Sequence, residues 1–129
     1  MGSSLRPIPS KILKSTATVT VCTGVDTYQN QTVDTYTVKR VHVQPTNEIR
    51  KTADNTDITL RSILFVDARI SEPYLDWYGL LKTAHDNKGD MRVTVTDQHG
   101  VEIGQYTVAG CDALRDDTDN LHHWEIALV

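Results

Sequence analysis

LHHWEIALV (121–129) is the last stretch of the chain, and it admits two readings. Chain termini fray unless something ties them down, for example pairing as a strand in a sheet. Either the two histidines serve a metal, or the stretch is a strand that closes the fold. In extended backbone, side chains alternate between two faces. His122, Trp124, Ile126 and Leu128 then share one face, and His123 and Glu125 share the other. His123 and Glu125 could reach one zinc ion, because alternate strand residues lie about 6.5–7 Å apart. Zinc takes three or four ligands, however. The other histidines, His42, His85 and His99, lie in unrelated segments, and no HExxH motif or paired Cys/His spacing is present. The strand reading is therefore preferred, with Trp124, Ile126 and Leu128 in the core.

The same period of two runs through most of the chain. In TATVTVCT (16–23), Ala17, Val19 and Val21 oppose Thr16, Thr18 and Thr20, the pattern of a half-buried strand. In VDTYTVKRVHVQP (33–45), Tyr36 and Val38 share one parity while Val41 and Val43 share the other. The slip near Lys39 and Arg40 predicts a bulge, and Pro45 ends the run. TNEIRKTADNTD (46–57) is polar, mixed in charge and aperiodic, which reads as a long inter-strand loop. Loops of about a dozen residues are uncommon in compact domains and are often functional. DITLRSILFVDARI (57–70) returns to strand character, and its ILFV centre suggests burial on both faces.

SEPYLDWYGLLKTAHDNK (71–88) breaks the pattern. Ser71 is a candidate helix cap with Pro73 in the first turn. Helical spacing would group Leu75, Tyr78 and Leu81, or Trp77, Leu80 and Ala84, and Gly79 weakens the assignment. Residues 74–88 are accordingly read as a short helical insertion. MRVTVT (91–96) and VEIGQYTV (101–108) are strands joined by a turn at Asp97 to Gly100. CDALRDDTDN (111–120) reads as an acidic connector. The expectation is a mainly β protein: one small antiparallel β-barrel domain over residues 1–129, with about six strands, a long inter-strand loop and at most one short helix. Closing the barrel would remove exposed strand edges.

Composition excludes several classes. The chain has 129 residues, enough for one real core. No apolar run approaches the roughly 18 residues of a membrane span. The opening MGSSLRPIPSK has no apolar signal-peptide stretch, so the chain is expected to be made and kept in a cytosol. The formal net charge of −4 argues against a protein whose main task is neutralising phosphates. Cys22 and Cys111 stand in no metal spacing and are read as small buried side chains. No GxSxG, GxGxxG or phosphate-loop motif occurs. Asp112, Asp116, Asp117 and Asp119 lack the glycine and terminal glutamate of a calcium loop. Asp67, inside an apolar run, needs a hydrogen-bond partner, and a structural bond is favoured over catalysis. No catalytic residue, metal ligand or cofactor is assigned, and an enzyme is not expected. Arg50, Lys51 and Arg61 give nucleic-acid binding a foothold, opposed by Glu48, Asp54 and Asp57.

Four segments occur in a particular order: PIPSKIL (7–13), KRVHVQP (39–45), SILFVDARISEP (62–73) and LHHWEIALV. In that order they resemble the minor capsid protein family of tailed phages and prophages of Gram-positive bacteria. The members of that family look like head-closure, or stopper, proteins of the phage neck. Residues 75–87 stand as an insertion relative to the family pattern. The resemblance implies a small β-barrel with an N-terminal arm (1–12) that assembles into a ring, typically of twelve subunits. That ring would sit in the virion neck after assembly in the host cytoplasm. Portal and adaptor proteins would lie above it, tail or tail-terminator proteins below, and packaged double-stranded DNA in the channel, with no membrane involved. It also implies that residues 46–57 form a channel or plug loop. Asn47, Glu48, Arg50, Lys51 and Asp54 are its candidate DNA-channel residues. Two alternatives are a tail-terminator or adaptor-type neck protein and a stand-alone binding module with an OB-like or SH3-like barrel.

Overall fold

Alternation of small and β-branched residues builds the first strand, β1 (Ser15–Val25). Ala17, Val19 and Val21 are buried, and the intervening threonines face outward. The computed structural model describes residues 13–28, 30–51, 54–69, 71–72, 74–115 and 120–129. The N-terminal arm expected over 1–12 lies outside the described residues. Seven further strands follow: β2 (Gln31–Pro45), β3 (Ile49–Lys51), β4 (Asp57–Thr59), β5 (Ser62–Asp67), β6 (Met91–Thr96), β7 (Glu102–Arg115) and β8 (Leu121–Leu128). One helix, α1 (Trp77–Asp86), lies between β5 and β6.

Six strands close into a barrel in the order β1-β2-β5-β8-β7-β6, every neighbouring pair being antiparallel. The interior is a single apolar cluster that includes Val19, Val38, Leu64, Met91, Val95, Trp124, Ile126 and Leu128. The last strand lies between β5 and β7, with Trp124 opposite both Val66 and Ala113. The Leu128 carbonyl accepts the Arg61 N–H, and the next residue, Val129, exchanges two backbone hydrogen bonds with Thr107.

The parity slip in β2 is a bulge. Arg40 takes a left-handed backbone with φ 62, and the β1–β2 register shifts between Ser15 and Thr16. The following turn docks there. Lys39 and Glu72 exchange backbone hydrogen bonds of 2.6 and 3.1 Å. The Ser71 hydroxyl donates to the Arg40 carbonyl and accepts from the Asp67 N–H. Asp67 is buried, and its Oδ1 accepts the Arg69 backbone N–H at 2.8 Å, the structural bond its position required. Ser71 is thus committed to the bulge and does not cap the helix.

Asp76 caps the helix instead, its carboxylate accepting the Gly79 N–H at 3.1 Å. A Cβ at residue 79 would come within 2.5 Å of that carboxylate, so the glycine that weakens helix propensity makes room for the cap. Trp77, Leu81 and Ala84, at i, i+4 and i+7, face inward onto β1, β6 and β7. The helix closes one end of the barrel, with the Cys111 thiol against the Trp77 carbonyl at 3.6 Å. Tyr78 points to solvent.

Residues 87–90 leave the helix across Cys22. A Cβ on Gly89 would lie 2.4 Å from both Cβ and Sγ of Cys22. Gly89→Ala is therefore expected to destabilise the protein by about 1–3 kcal/mol through overpacking, read as a lower denaturant midpoint with an unchanged slope.

Two expectations are corrected. The ILFV run is not buried on both faces: Leu64 and Val66 face the core, while Ile63 and Phe65 are half-buried on the outer wall. The aromatic rings of His42 and His123 flank Phe65 at 6.0 and 6.1 Å and supply that partial cover. The acidic connector begins later than expected, because β7 continues through Arg115 by pairing with β8. Asp116, Asp117 and Asp119 lie outside the described residues.

Candidate functional site: the β3–β4 hairpin

The aperiodic stretch 46–57 does not form a plain loop. Its backbone continues the β2–β5 pair as β3 and β4, with Ile49 opposite Thr59 and Lys51 opposite Asp57. From Pro45 to Ile49 the outgoing strand takes four steps, while the return from Thr59 to Ser62 takes three. The extra residue is a bulge beside Asn47, and bulges bend strands. Such pairing is invisible to a two-residue periodicity because each strand is three residues long and none of their residues is fully buried.

The hairpin turns back over the outer wall. Arg50 donates from Nε and Nη2 to the two Glu48 carboxylate oxygens (3.1 and 3.3 Å) and from Nη1 to Asp112 Oδ2 (3.3 Å). Asp112 pairs with Glu125, and Glu125 with Phe65. Seven residues separate Phe65 from Ile58, the partner of Arg50, and a straight strand would carry Arg50 about 23 Å beyond that level. The Asp112 bond therefore requires the hairpin to fold back. Arg61 pins the bend: its N–H donates to the Leu128 carbonyl at 2.8 Å. Its guanidinium donates to the Gln105 carbonyl and sits 4.8 Å from the Tyr106 ring centre. Leu60, next to Arg61 in the chain, is buried, only 1% exposed.

Of the candidate channel residues, Asn47, Glu48, Lys51 and Asp54 are exposed, and Arg50 is half-buried. Both basic side chains are already engaged. The Glu48 hydrogen bonds, with Asp112 and Glu125 adding negative charge, raise the Arg50 pKa further and keep its charge neutralised locally. Lys51 Nζ lies 3.0 Å from Asp57 Oδ1 in an exposed pair. Surface pairs of that kind are worth about 0–1 kcal/mol and open readily. Asp112 and Arg61 carry the hairpin's position, and sequence reasoning missed both roles. Arg50 and Asp112 are 62 residues apart, and no local pattern links them.

His122 and His123 form the other polar cluster. Their Nδ1 atoms are 2.7 Å apart, and His123 Nε2 lies 3.8 Å from Glu125. Among the described residues, no group of three or more His, Cys, Asp or Glu is placed to hold a metal ion. Burial holds the His123 pKa below its ordinary 6.5, and His122 adds to that effect, while Glu125 and Asp67 pull upward. The folded state therefore binds fewer protons than the unfolded chain in the window from 6.5 down to the lowered value. Stability is complete above 6.5 and falls as pH drops through that window. Denaturant midpoints at about pH 7.5 and about pH 5 should show this loss, and His123→Gln should reduce it.

The cysteines offer no nucleophile. Cys22 is fully buried, and burial, reinforced by Asp112 and Asp76, pushes the Cys111 thiol up to about 12. The thiolate is the reactive form, so Cys111 stays inert at neutral pH. A groove of about 410 Å³ opens on the outer wall, lined by Thr20, Arg61, Arg92, Thr94, Gln105 and Thr107. Among the described residues, no helix is long and apolar enough to cross a membrane.

A comparison with family models, one with curated proteins and one with solved structures each returned no match. The class that the fold defines is a small closed antiparallel β-barrel.

Proposed function

We propose that this chain is a structural component of a tailed-phage neck. In this reading it is a head-closure or stopper protein that forms a ring below portal and adaptor, retains packaged DNA and offers the tail a docking surface. The observation that carries the reading is the β3–β4 hairpin, a bulged extension of two barrel strands tethered to the barrel wall by Arg50. A rigid barrel supplies the ring body. The hairpin supplies an element with two positions, folded back on Asp112 or released toward a channel. Opening the Arg50–Asp112 contact costs little, because that pair is partly exposed and screened by salt, while Arg61 and the buried Leu60 keep the base of the hairpin on the barrel. Arg50 and Lys51 would become available to phosphates only when they leave Glu48, Asp112 and Asp57. A transient grip suits a pore through which DNA must later slide, since permanent phosphate contacts would hold it back.

The test is addition of the purified protein to DNA-filled capsids that lack tails. Binding with retention of DNA supports the reading, and absence of binding overturns it. Arg50→Ala with Lys51→Ala then tests the grip, and unchanged DNA retention would remove those two residues from the mechanism. The groove beside Arg61 and Arg92 favours a second reading, a stand-alone nucleic-acid-binding barrel. That reading predicts salt-dependent binding of free single-stranded oligonucleotides and no affinity for capsids.

A further inference from the structure

The barrel is closed, yet one of its strands overhangs. β2 pairs with β1 along Gln31–Val41, but with β5 only along Val41–Pro45. Apart from the Lys39–Glu72 bridge, residues 31–40 have no partner on the β5 side among the described residues. The direction of their backbone groups follows from two observations. Lys39 directs both N–H and C=O to Glu72, away from β1. The Cys22 N–H is bonded to the Asp90 carbonyl, on the β6 side of β1, so the Cys22–Val33 pair is not hydrogen-bonded across. By strand alternation, Val33, Thr35 and Thr37 present their N–H and C=O groups to the open edge. Residues 31–35 are exposed on both faces. Open edges are usually blunted by lysine, proline or brevity. Gln31–Val38 is eight residues long and rich in threonine and valine, and it carries neither lysine nor proline.

We infer that this edge accepts an added strand, supplied by residues 1–12 of a second copy of this chain. Charge is the first argument. The hairpin from residue 15 to 38 carries Asp26 and Asp34 and no lysine or arginine, whereas residues 1–14 carry Arg6, Lys11 and Lys14 and no acid. Proline parity is the second. Pro7 and Pro9 are two apart, so in a strand both missing N–H groups fall on one edge. The other edge keeps the N–H groups of Arg6, Ile8 and Ser10 for pairing, and the proline edge cannot propagate a further strand. Reach is the third argument. Twelve residues span up to about 40 Å, and an eight-residue edge needs about 27 Å. The contact joins two different surfaces, so its repetition yields a closed ring, a reciprocal pair being the smallest, or a filament. This inference stands independently of the neck reading.

The experiment uses the full chain, a variant beginning at Leu13, and a synthetic peptide of residues 1–12. Sedimentation should show the full chain associating as concentration rises and the shortened variant remaining monomeric. Titrating the peptide into the shortened variant should slow amide exchange at Val33, Thr35 and Thr37. Thr35→Pro removes an edge donor that no barrel strand uses. It should weaken peptide binding at least about tenfold and reduce association of the full chain, while leaving the barrel's circular dichroism intact. Asp34→Lys should weaken binding a few-fold at low salt only. Three results would each overturn the proposal. One is association that survives removal of residues 1–12. Another is a peptide that does not bind. The third is a full chain that stays monomeric while those three amides are protected, which would place the arm on its own molecule. Should the shortened variant not fold, Thr35→Pro in the full chain decides the matter by sedimentation alone.

Discussion

A chain ending at Asn120 is expected to show no cooperative unfolding transition. Among the described residues β8 is the strand that joins β5 to β7, so its removal opens the barrel along two ladders at once. It also takes Trp124, Ile126 and Leu128, exposed by 6%, 0% and 0%, out of the core. A single buried tryptophan cut to alanine costs roughly 3–5 kcal/mol, and total stability of such domains is about 5–15 kcal/mol. Losing three such side chains and two hydrogen-bonded edges exceeds that margin. Circular dichroism and one-dimensional NMR of the truncated chain check it; dispersed amide signals from a folded monomer would refute the closing role.

Trp77→Ala should cost about 3–5 kcal/mol, as much as a substitution inside a strand, although residue 77 lies in a ten-residue helix outside the barrel wall. The helix is too short to be stable alone and depends on its packed face. Trp77 is fully buried at the barrel end, so its loss leaves a cavity and loosens α1 from β1, β6 and β7. Among the described residues its Nε1 has no hydrogen-bond partner, so the cost is ascribed to packing, and Trp77→Phe should cost less than about half as much. Tyr78→Ala, at an exposed position of the same helix, should stay within about 0.5 kcal/mol. Denaturant titration of the three variants separates these cases. Equal effects at residues 77 and 78 would show that helix propensity, not the packing of Trp77, sets the stability.

Legibility divided along a physical line. Ala17, Val19 and Val21, or Met91, Val93 and Val95, announce their faces because a strand repeats every two residues and water is excluded from one side only. The bulge at Arg40 was legible for the same reason, as a change of parity. Neither helix face grouped from the spacing is the buried one: Trp77 and Ala84 face inward together with Leu81, while Leu80 is half-buried and Tyr78 is exposed. The cap moved from Ser71 to Asp76 because Ser71 was drawn to the Arg40 carbonyl, a partner 31 residues away. The candidate channel residues were found as a stretch, but their electrostatic state was not. Arg50 and Lys51 read as available cations, and carboxylates neutralise both.

By itself the sequence determined the central parts of the six barrel strands, the inward faces of those that alternate strictly, the site of the helix and the strand character of LHHWEIALV. Each of these follows from local periodicity, turn chemistry and the drive to bury one face. Only the tertiary structure decided which strands pair, that β3 and β4 form a folded-back hairpin, that Asp112 holds it, and that β2 overhangs its neighbour. Those features depend on groups far apart in the chain meeting across the barrel. A hydrogen bond or ion pair between such groups leaves no periodic trace in the order of the residues.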